Sequence, residues 1–229
     1  MHGFTTVAAV YSVEECRKIA SQIQAALEAC DDEASSLRRA NGAIYGARNL
    51  LDLFPPAKDL WWRPPLVELL LSFRGPTFGL VRGLYFDKPP HGSWSLLWHR
   101  DLTIAVQEHG PVGGMSRNPT TKAGVPHVEA PDEVLRQMLT LRIHLDAATP
   151  ENGPLQVVPG SHVGRDANPN CEPVPILVKA GDVLAMRPLQ LHSSGESQAG
   201  TMHRRVVHLE FAASPTLPDG YRWGKFYSN

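Results

Sequence analysis

Cysteine is scarce in this chain of 229 residues, which contains only Cys16, Cys30 and Cys171. The three are far apart, and an odd number without a short pair argues against a disulfide framework and against a zinc ribbon. We therefore expect three reduced thiols, the usual state of cysteine in the cytoplasm.

An excess of one charge and long apolar runs are also lacking. The formal net charge is −1 and the pI is about 6.8, so no basic surface is expected to attract nucleic acid or a membrane. The best apolar stretch, residues 66–73, contains Glu68 and is much too short to span a bilayer. Residues 1–16 have neither the cationic start nor the apolar segment of a signal peptide. The sequence thus predicts a cytoplasmic protein.

The composition suffices for one folded domain, since 42% of the residues are hydrophobic and 20% are charged.

The N-terminal third has helical periodicity. Ser12 and Glu15 form a capping box for a helix over 13–31, and Pro64-Pro65 opens a second helix over 66–73. Period-two patterns then predict short strands at 79–86, 103–106, 139–145, 155–158, 176–178, 182–186 and 205–212. Many short strands with Gly and Pro between them indicate a sandwich or a barrel.

Residues 108–131 show no clear period and are rich in glycine and proline. We expect this stretch to form neither a long helix nor a long strand. Because it begins seven residues after Asp101, we expect it to cover the site described next.

A candidate metal site begins with His99 and Asp101, two positions apart at a strand end. Strand alternation sends both side chains to one face. A third ligand must come from elsewhere, and His192 follows the strand predicted at 182–186. Two histidines and one carboxylate form the facial triad of non-haem iron(II), which leaves coordination positions open. The other histidines are expected to be structural or surface residues, including His127, His144, His162 and His208.

Three segments together resemble the phytanoyl-CoA dioxygenase family. They are W-H-x-D at 98–101, LTLRIHLDAATPENGPLQVVPGSHVG at 139–164, and GDVLAMRPLQLHSSGES with RRVVHLEFA within 181–212. They occur in the family's order and cover about residues 80–212. The resemblance implies a mainly β double-stranded β-helix, or jelly roll, at about 76–215, preceded by a helical part at about 1–75 in one domain, 1–229. It also implies iron(II), 2-oxoglutarate as cosubstrate, O2, and a small-molecule substrate that is hydroxylated while succinate and CO2 are released.

Carried over by position, the resemblance assigns the iron to His99, Asp101 and His192. It assigns the distal carboxylate of 2-oxoglutarate to Arg204, whose planar guanidinium suits a carboxylate. Arg204 stands slightly further from His192 than in the family, so Arg205 is the alternative. Ser194 matches a hydroxyl that helps to hold the same carboxylate, and Lys88, just before the metal motif, is a candidate contact for cosubstrate or substrate.

Three other functions compete with this interpretation. A jelly-roll isomerase or hydrolase with another metal has no need of an arginine for a dicarboxylate. A halogenase lacks the carboxylate ligand, whereas Asp101 is present. A non-catalytic binding protein on the same fold has no need of the complete His-Asp-His set. Iron-dependent formation of succinate separates these classes. The sequence carries no signal for nucleic-acid or membrane partners, nor for an oligomeric state.

Overall fold

The computed structural model describes residues 2–30, 35–38, 42, 44–90, 94–110, 117–167, 169–198 and 202–229. Antiparallel strands make up most of the ordered elements. In chain order they are β1 (Phe4–Val7), β2 (Ser36–Arg38), β3 (Ile44–Ala47), β4 (Gly79–Lys88), β5 (Leu96–His99), β6 (Thr103–Ala105), β7 (Arg117–Lys122), β8 (Val125–Glu129), β9 (Met138–His144), β10 (Leu155–Val157), β11 (Val174–Pro175), β12 (Val183–Met186), β13 (His192–Ser194), β14 (Arg204–Ala212) and β15 (Tyr227–Ser228).

The large sheet has the order β1-β12-β9-β14-β4-β3-β2, with β15 paired to β4. Along β9 and β14 the two faces differ sharply, because side chains alternate along a strand. One face contributes apolar residues to the main core: Leu139, Leu141, Ile143, Val207, Leu209 and Phe211. The opposite face carries the buried polar residues Thr140, Arg142, His144, Arg204, His208 and Glu210. The large sheet thus separates a dry helical layer from a polar interior.

Three helices cover the apolar face: α1 (Val13–Glu28), α2 (Leu50–Leu53) and α3 (Pro64–Arg74). A fourth, α4 (Asp132–Leu135), buries Val134 and Leu135 in a second core cluster with Ile104 and Val128. The capping box at the start of α1 is present: Glu15 N donates to Ser12 Oγ at 3.1 Å, and Ser12 N donates to a Glu15 carboxylate oxygen at 2.8 Å. Cys16, Ile19, Ile23 and Leu27 bury the inner face of α1 in the main core. No helix in the described ranges is long and apolar enough to cross a membrane.

The N-terminal third is less helical than its sequence pattern predicts. Strand β1 pairs with β12, and strands β2 and β3 extend the edge of the large sheet. These strands are short, and β1 is specified by a partner about 180 residues later (Phe4 lies opposite Met186), so local periodicity carries little of the signal.

A second sheet, β11-β10-β13-β5, lies against the polar side of the large sheet. Leu155 and Val157 of β10 pack in one core cluster with Leu184 and Met186 of β12. Two facing antiparallel sheets confirm the predicted mainly β, jelly-roll fold. The strand predicted at 176–178 is displaced: β11 is Val174–Pro175, and Val178 makes only an isolated bridge to Ala148.

Residues 108–131 contain two short strands that the sequence pattern did not predict. Strands β7 and β8 form a hairpin, and β8 pairs with β6 to complete a three-stranded sheet. The turn consists of Ala123 and Gly124, both with positive φ (50° and 74°), as a two-residue hairpin turn requires. Gly124 therefore makes the strand pairing possible instead of breaking it. Residues 111–116 of this stretch lie outside the described ranges.

Candidate metal centre and the polar interior

The structure brings His99, Asp101 and His192, hereafter the triad, into one group. Strand β5 runs antiparallel to β13 and places His99 directly opposite His192, with ring centroids 4.2 Å apart. The carboxylate of Asp101 reaches the same point, since its Oδ2 lies 3.8 Å from His192 Nε2. One ligand atom from each residue lies within 4.8 Å of the others, so a single metal ion fits among them.

Backbone carbonyls orient both imidazole rings. His99 Nδ1 lies 2.7 Å from Leu97 O, and His192 Nδ1 lies 2.7 Å from Gln190 O. A carbonyl only accepts hydrogen bonds, so in the neutral ring the proton is on Nδ1 and Nε2 keeps its lone pair. Asp101 is fixed through its backbone N–H, which donates to Pro188 O at 3.0 Å.

The electrostatics of the triad suit a divalent cation. Burial lowers the pKa of His192 to about 4, so its ring is neutral at pH 7. Burial alone would raise the pKa of Asp101, but His192, His208, His99 and Arg142 together outweigh it and hold that pKa below its ordinary value. Asp101 Oδ2 is buried without a hydrogen-bond partner in the described part of the chain. An anionic oxygen with no donor beside two lone-pair nitrogens is a donor set for a metal.

Arg204 and Arg205 have opposite surroundings. Arg205 is engaged by Asp146 in a bidentate pair, with Nε–Oδ2 at 2.7 Å and Nη2–Oδ1 at 2.8 Å. Arg204 is 4% exposed, and its Nε has no partner among the described residues. Burial, followed by the charge of Arg142, lowers the pKa of Arg204 to about 9. Arg204 is therefore the arginine that faces the interior without a counter-ion.

Lys88 and Ser194 meet beside Arg204. Strand β4 places Lys88 opposite Arg204 in the large sheet, and the fully buried Lys88 Nζ donates to Ser194 Oγ at 3.1 Å and to the carbonyl of Gly195. Burial, with help from Arg204 and Arg142, lowers the pKa of Lys88 to about 7. Both sheets thus contribute polar groups to one point in the interior.

Sequence reasoning missed the buried polar residues of the large sheet. Arg142 Nη1 lies 3.0 Å from His208 Nδ1, and Glu210 Oε1 lies 3.3 Å both from His208 Nε2 and from Arg82 Nη1. His144 is fully buried, and neither ring nitrogen has a hydrogen-bond partner in the described ranges. The sequence does carry a signal for these residues, because polar side chains recur at alternate positions in the otherwise apolar strands β9 and β14.

Comparison with known proteins places this geometry in a family. The model of the family described as "Phytanoyl-CoA dioxygenase (PhyH)" matches residues 1–206. A protein of Stutzerimonas stutzeri named "Probable alpha-ketoglutarate-dependent hypophosphite dioxygenase" is 24% identical, over 94% of this chain and 77% of its own length.

Two solved structures show the same fold. One is AviO1 from Streptomyces viridochromogenes Tue57, with a TM-score of 0.65, 24% identity, and coverage of 96% of this chain and 93% of that one. The other is EctD from S. alaskensis with bound Fe, with a TM-score of 0.70, 19% identity, and coverage of 93% of this chain and 73% of that one.

Proposed function

The chain belongs to the phytanoyl-CoA dioxygenase family of iron(II)- and 2-oxoglutarate-dependent dioxygenases, and we propose that His99, Asp101 and His192 hold its iron. The observation that supports this assignment is the convergence of their three ligand atoms within 4.8 Å. The unpartnered, anionic Asp101 oxygen and the two lone-pair nitrogens match a divalent metal that needs open positions for cosubstrate and oxygen.

Iron(II), when bound, supplies the redox chemistry that couples oxidation of 2-oxoglutarate to succinate and CO2 with oxidation of the substrate by O2. The chain's own residues supply position and charge. We assign the distal carboxylate of 2-oxoglutarate to Arg204, because its guanidinium is buried and cationic and its Nε has no partner among the described residues. A carboxylate placed there receives charge-assisted hydrogen bonds in a site from which water is largely excluded.

Ser194 and Lys88 complete this clamp. The Ser194 hydroxyl already accepts from Lys88 Nζ, so its own proton is free to be donated to an incoming carboxylate. The ammonium of Lys88 adds a second positive charge opposite Arg204. Arg205 has no part in the clamp, since Asp146 occupies both edges of its guanidinium.

The finer outcome that we propose is hydroxylation of a small organic substrate in the cytoplasm. No disulfide joins Cys16, Cys30 or Cys171, and Cys16 is buried in the core, which suits a reducing compartment.

The decisive experiment is iron-dependent formation of succinate from 2-oxoglutarate by the full chain, followed in the presence and absence of O2. We expect succinate only when iron(II), 2-oxoglutarate and O2 are all present, with zinc as an inactive substitute. A jelly-roll isomerase, a hydrolase or a binding protein forms none, and a protein that binds iron but fails to consume 2-oxoglutarate would contradict the proposal.

A further inference from the structure

A cavity of about 280 Å³ lies where α2, β4, β6 and the β7–β8 turn come together. Its lining includes Arg48, Arg82, Gln107 and His127, but none of the triad residues. The cavity is therefore a separate recess, and its chemistry can be read independently of the metal centre.

The cavity has more cations than its carboxylates can neutralise. Arg48 is half-buried, and no carboxylate in the described ranges lies within ion-pair distance of its guanidinium. Burial, followed by repulsion from Arg82, lowers the pKa of Arg48. The pKa of Lys122 is also lowered, first by burial and then by repulsion from Arg82 and Arg48. The nearby carboxylates are already engaged: Glu210 by Arg82, and Asp52 by Lys225. A bound anion would remove this repulsion.

His127 adds a second requirement for a ligand of this cavity, a hydrogen-bond donor. It is 3% exposed and lines the cavity, and its Nε2 has no hydrogen-bond partner in the part of the chain that is described. Burial, followed by Arg82, lowers the pKa of His127 to about 4, so the ring is neutral at pH 7. Nδ1 lies 2.9 Å from Val125 O and must carry the proton. Nε2 is therefore an acceptor, and a ligand that satisfies it brings an O–H or N–H donor.

Two sets of contacts lead from the neighbourhood of the cavity toward the metal centre. Lys122, the residue before the β7–β8 turn, donates from Nζ to Thr103 Oγ1 at 2.9 Å, and Thr103 begins β6 two residues after Asp101. Arg82, in the cavity wall, pairs with Glu210, which lies 3.3 Å from His208, and His208 contacts Arg142 in the polar interior. These contacts pass through the protein, and no triad residue lines the cavity.

We propose that this cavity is a binding site, apart from the metal centre, for a small carboxylate that also carries a hydroxyl or amino group. Arg48, in the cavity lining, faces the negative charge of this ligand, and His127 Nε2 accepts from its hydroxyl or amino group. This assignment goes beyond the proposed dioxygenase function and does not depend on it.

Calorimetric titration of the full chain, with iron(II) and 2-oxoglutarate present and O2 absent, tests the proposal with three probes. Glycolate has both the charge and the donor, acetate lacks the donor, and glycolamide lacks the charge. We expect glycolate to bind about tenfold more tightly than either. Arg48→Gln should abolish the preference over glycolamide, and Arg48→Lys should restore part of it. His127→Phe should abolish the preference over acetate. Arg17→Gln, on the exposed face of α1, is the matched control.

Equal binding of glycolate and glycolamide by the wild type, no glycolate binding at millimolar concentration, or unchanged glycolate affinity in a folded Arg48→Gln protein would each overturn the proposal. Because Arg48 is only half-buried, its replacement leaves the core intact, and the test stands even if His127→Phe does not fold. Failure of the proposed function is seen separately, as loss of 2-oxoglutarate binding and succinate formation. Arg204→Gln should weaken 2-oxoglutarate and leave glycolate bound, whereas Arg48→Gln should do the reverse.

Discussion

His99 and His192 stand directly opposite each other across the β5–β13 pair, and their imidazole rings are 4.2 Å apart. Ninety-three positions in the sequence separate them (192 − 99 = 93), yet one antiparallel register fixes their distance. The backbone carbonyls at Leu97 and Gln190 then turn both Nε2 atoms toward Asp101. The two histidines of the proposed metal centre are therefore held by the sheet, which preorganises them as ligands, and Asp101 lies on the short connection between β5 and β6.

Metal binding should stabilise the fold through these three side chains. A ligand that binds only the folded state adds about 2.7 kcal/mol at a concentration one hundred times its Kd. We expect anaerobic iron(II) or manganese(II) to raise the Tm of the wild type, measured by calorimetry, and to leave His192→Ala unchanged. The same increase in both proteins would place the metal elsewhere.

Replacement of Asp101 by alanine should abolish succinate formation while the protein stays folded. The change removes the only carboxylate of the triad and leaves the apolar clusters of the core intact. Succinate assays and circular dichroism check the two halves of this prediction, with Asp59→Ala, at the exposed end of a short 3-10 helix, as the control. An Asp101→Ala protein that oxidises 2-oxoglutarate at the wild-type rate would refute the assignment of this ligand.

Replacement of Arg204 should weaken cosubstrate binding, whereas replacement of Arg205 should lower the stability of the fold. Arg204→Gln removes a charged donor from the proposed clamp and should weaken 2-oxoglutarate binding by at least about 100-fold, since two charge-assisted hydrogen bonds contribute roughly 1.5–3 kcal/mol each and about 1.4 kcal/mol is tenfold in affinity. Arg205→Gln should leave that affinity unchanged and cost about 1 kcal/mol of stability, because Asp146 loses a partly exposed partner. Titration calorimetry measures the affinity for 2-oxoglutarate, and urea unfolding measures the loss of stability. If Arg205→Gln weakened 2-oxoglutarate binding and Arg204→Gln did not, Arg205 would be the residue that binds the cosubstrate.

Lys88 should make stability depend on pH in a defined direction. Its pKa is about 7 in the folded protein and about 10.4 in an unfolded chain, so between these values the unfolded state holds the extra proton. Raising the pH from 7 to 10 therefore favours folding, by up to about 1.4 kcal/mol per pH unit. Urea unfolding at several pH values should show the wild type gaining stability relative to Lys88→Met as the pH rises. If the free energy of unfolding varied with pH in the same way for both proteins, the environment of Lys88 would not disfavour its charged form.

Local features of the fold could be predicted from the sequence because their causes are local. The Ser12–Glu15 capping box and the helix that follows depend on contacts between residues three or four apart. The β-rich second part follows from period-two alternation, which also predicts that His99 and Asp101 share a face. The hairpin of β7 and β8 was missed although its signal is local as well, because Gly124 was counted as a breaker and not as the second residue of a tight turn.

The sequence by itself determined the candidates for the proposed site: two histidines and an aspartate as metal ligands, and a serine, a lysine and two adjacent arginines for the cosubstrate. It could not decide between Arg204 and Arg205, since alternation says only that they point to opposite faces. The tertiary structure decided, because the large sheet turns the Arg204 face toward the second sheet and leaves Arg205 beside Asp146, fifty-nine positions away. The same packing buried Lys88 and left Arg48 without an ion-pair partner among the residues that the structure describes. Burial and pairing of a charge depend on which distant strands close over it, and no local pattern encodes that.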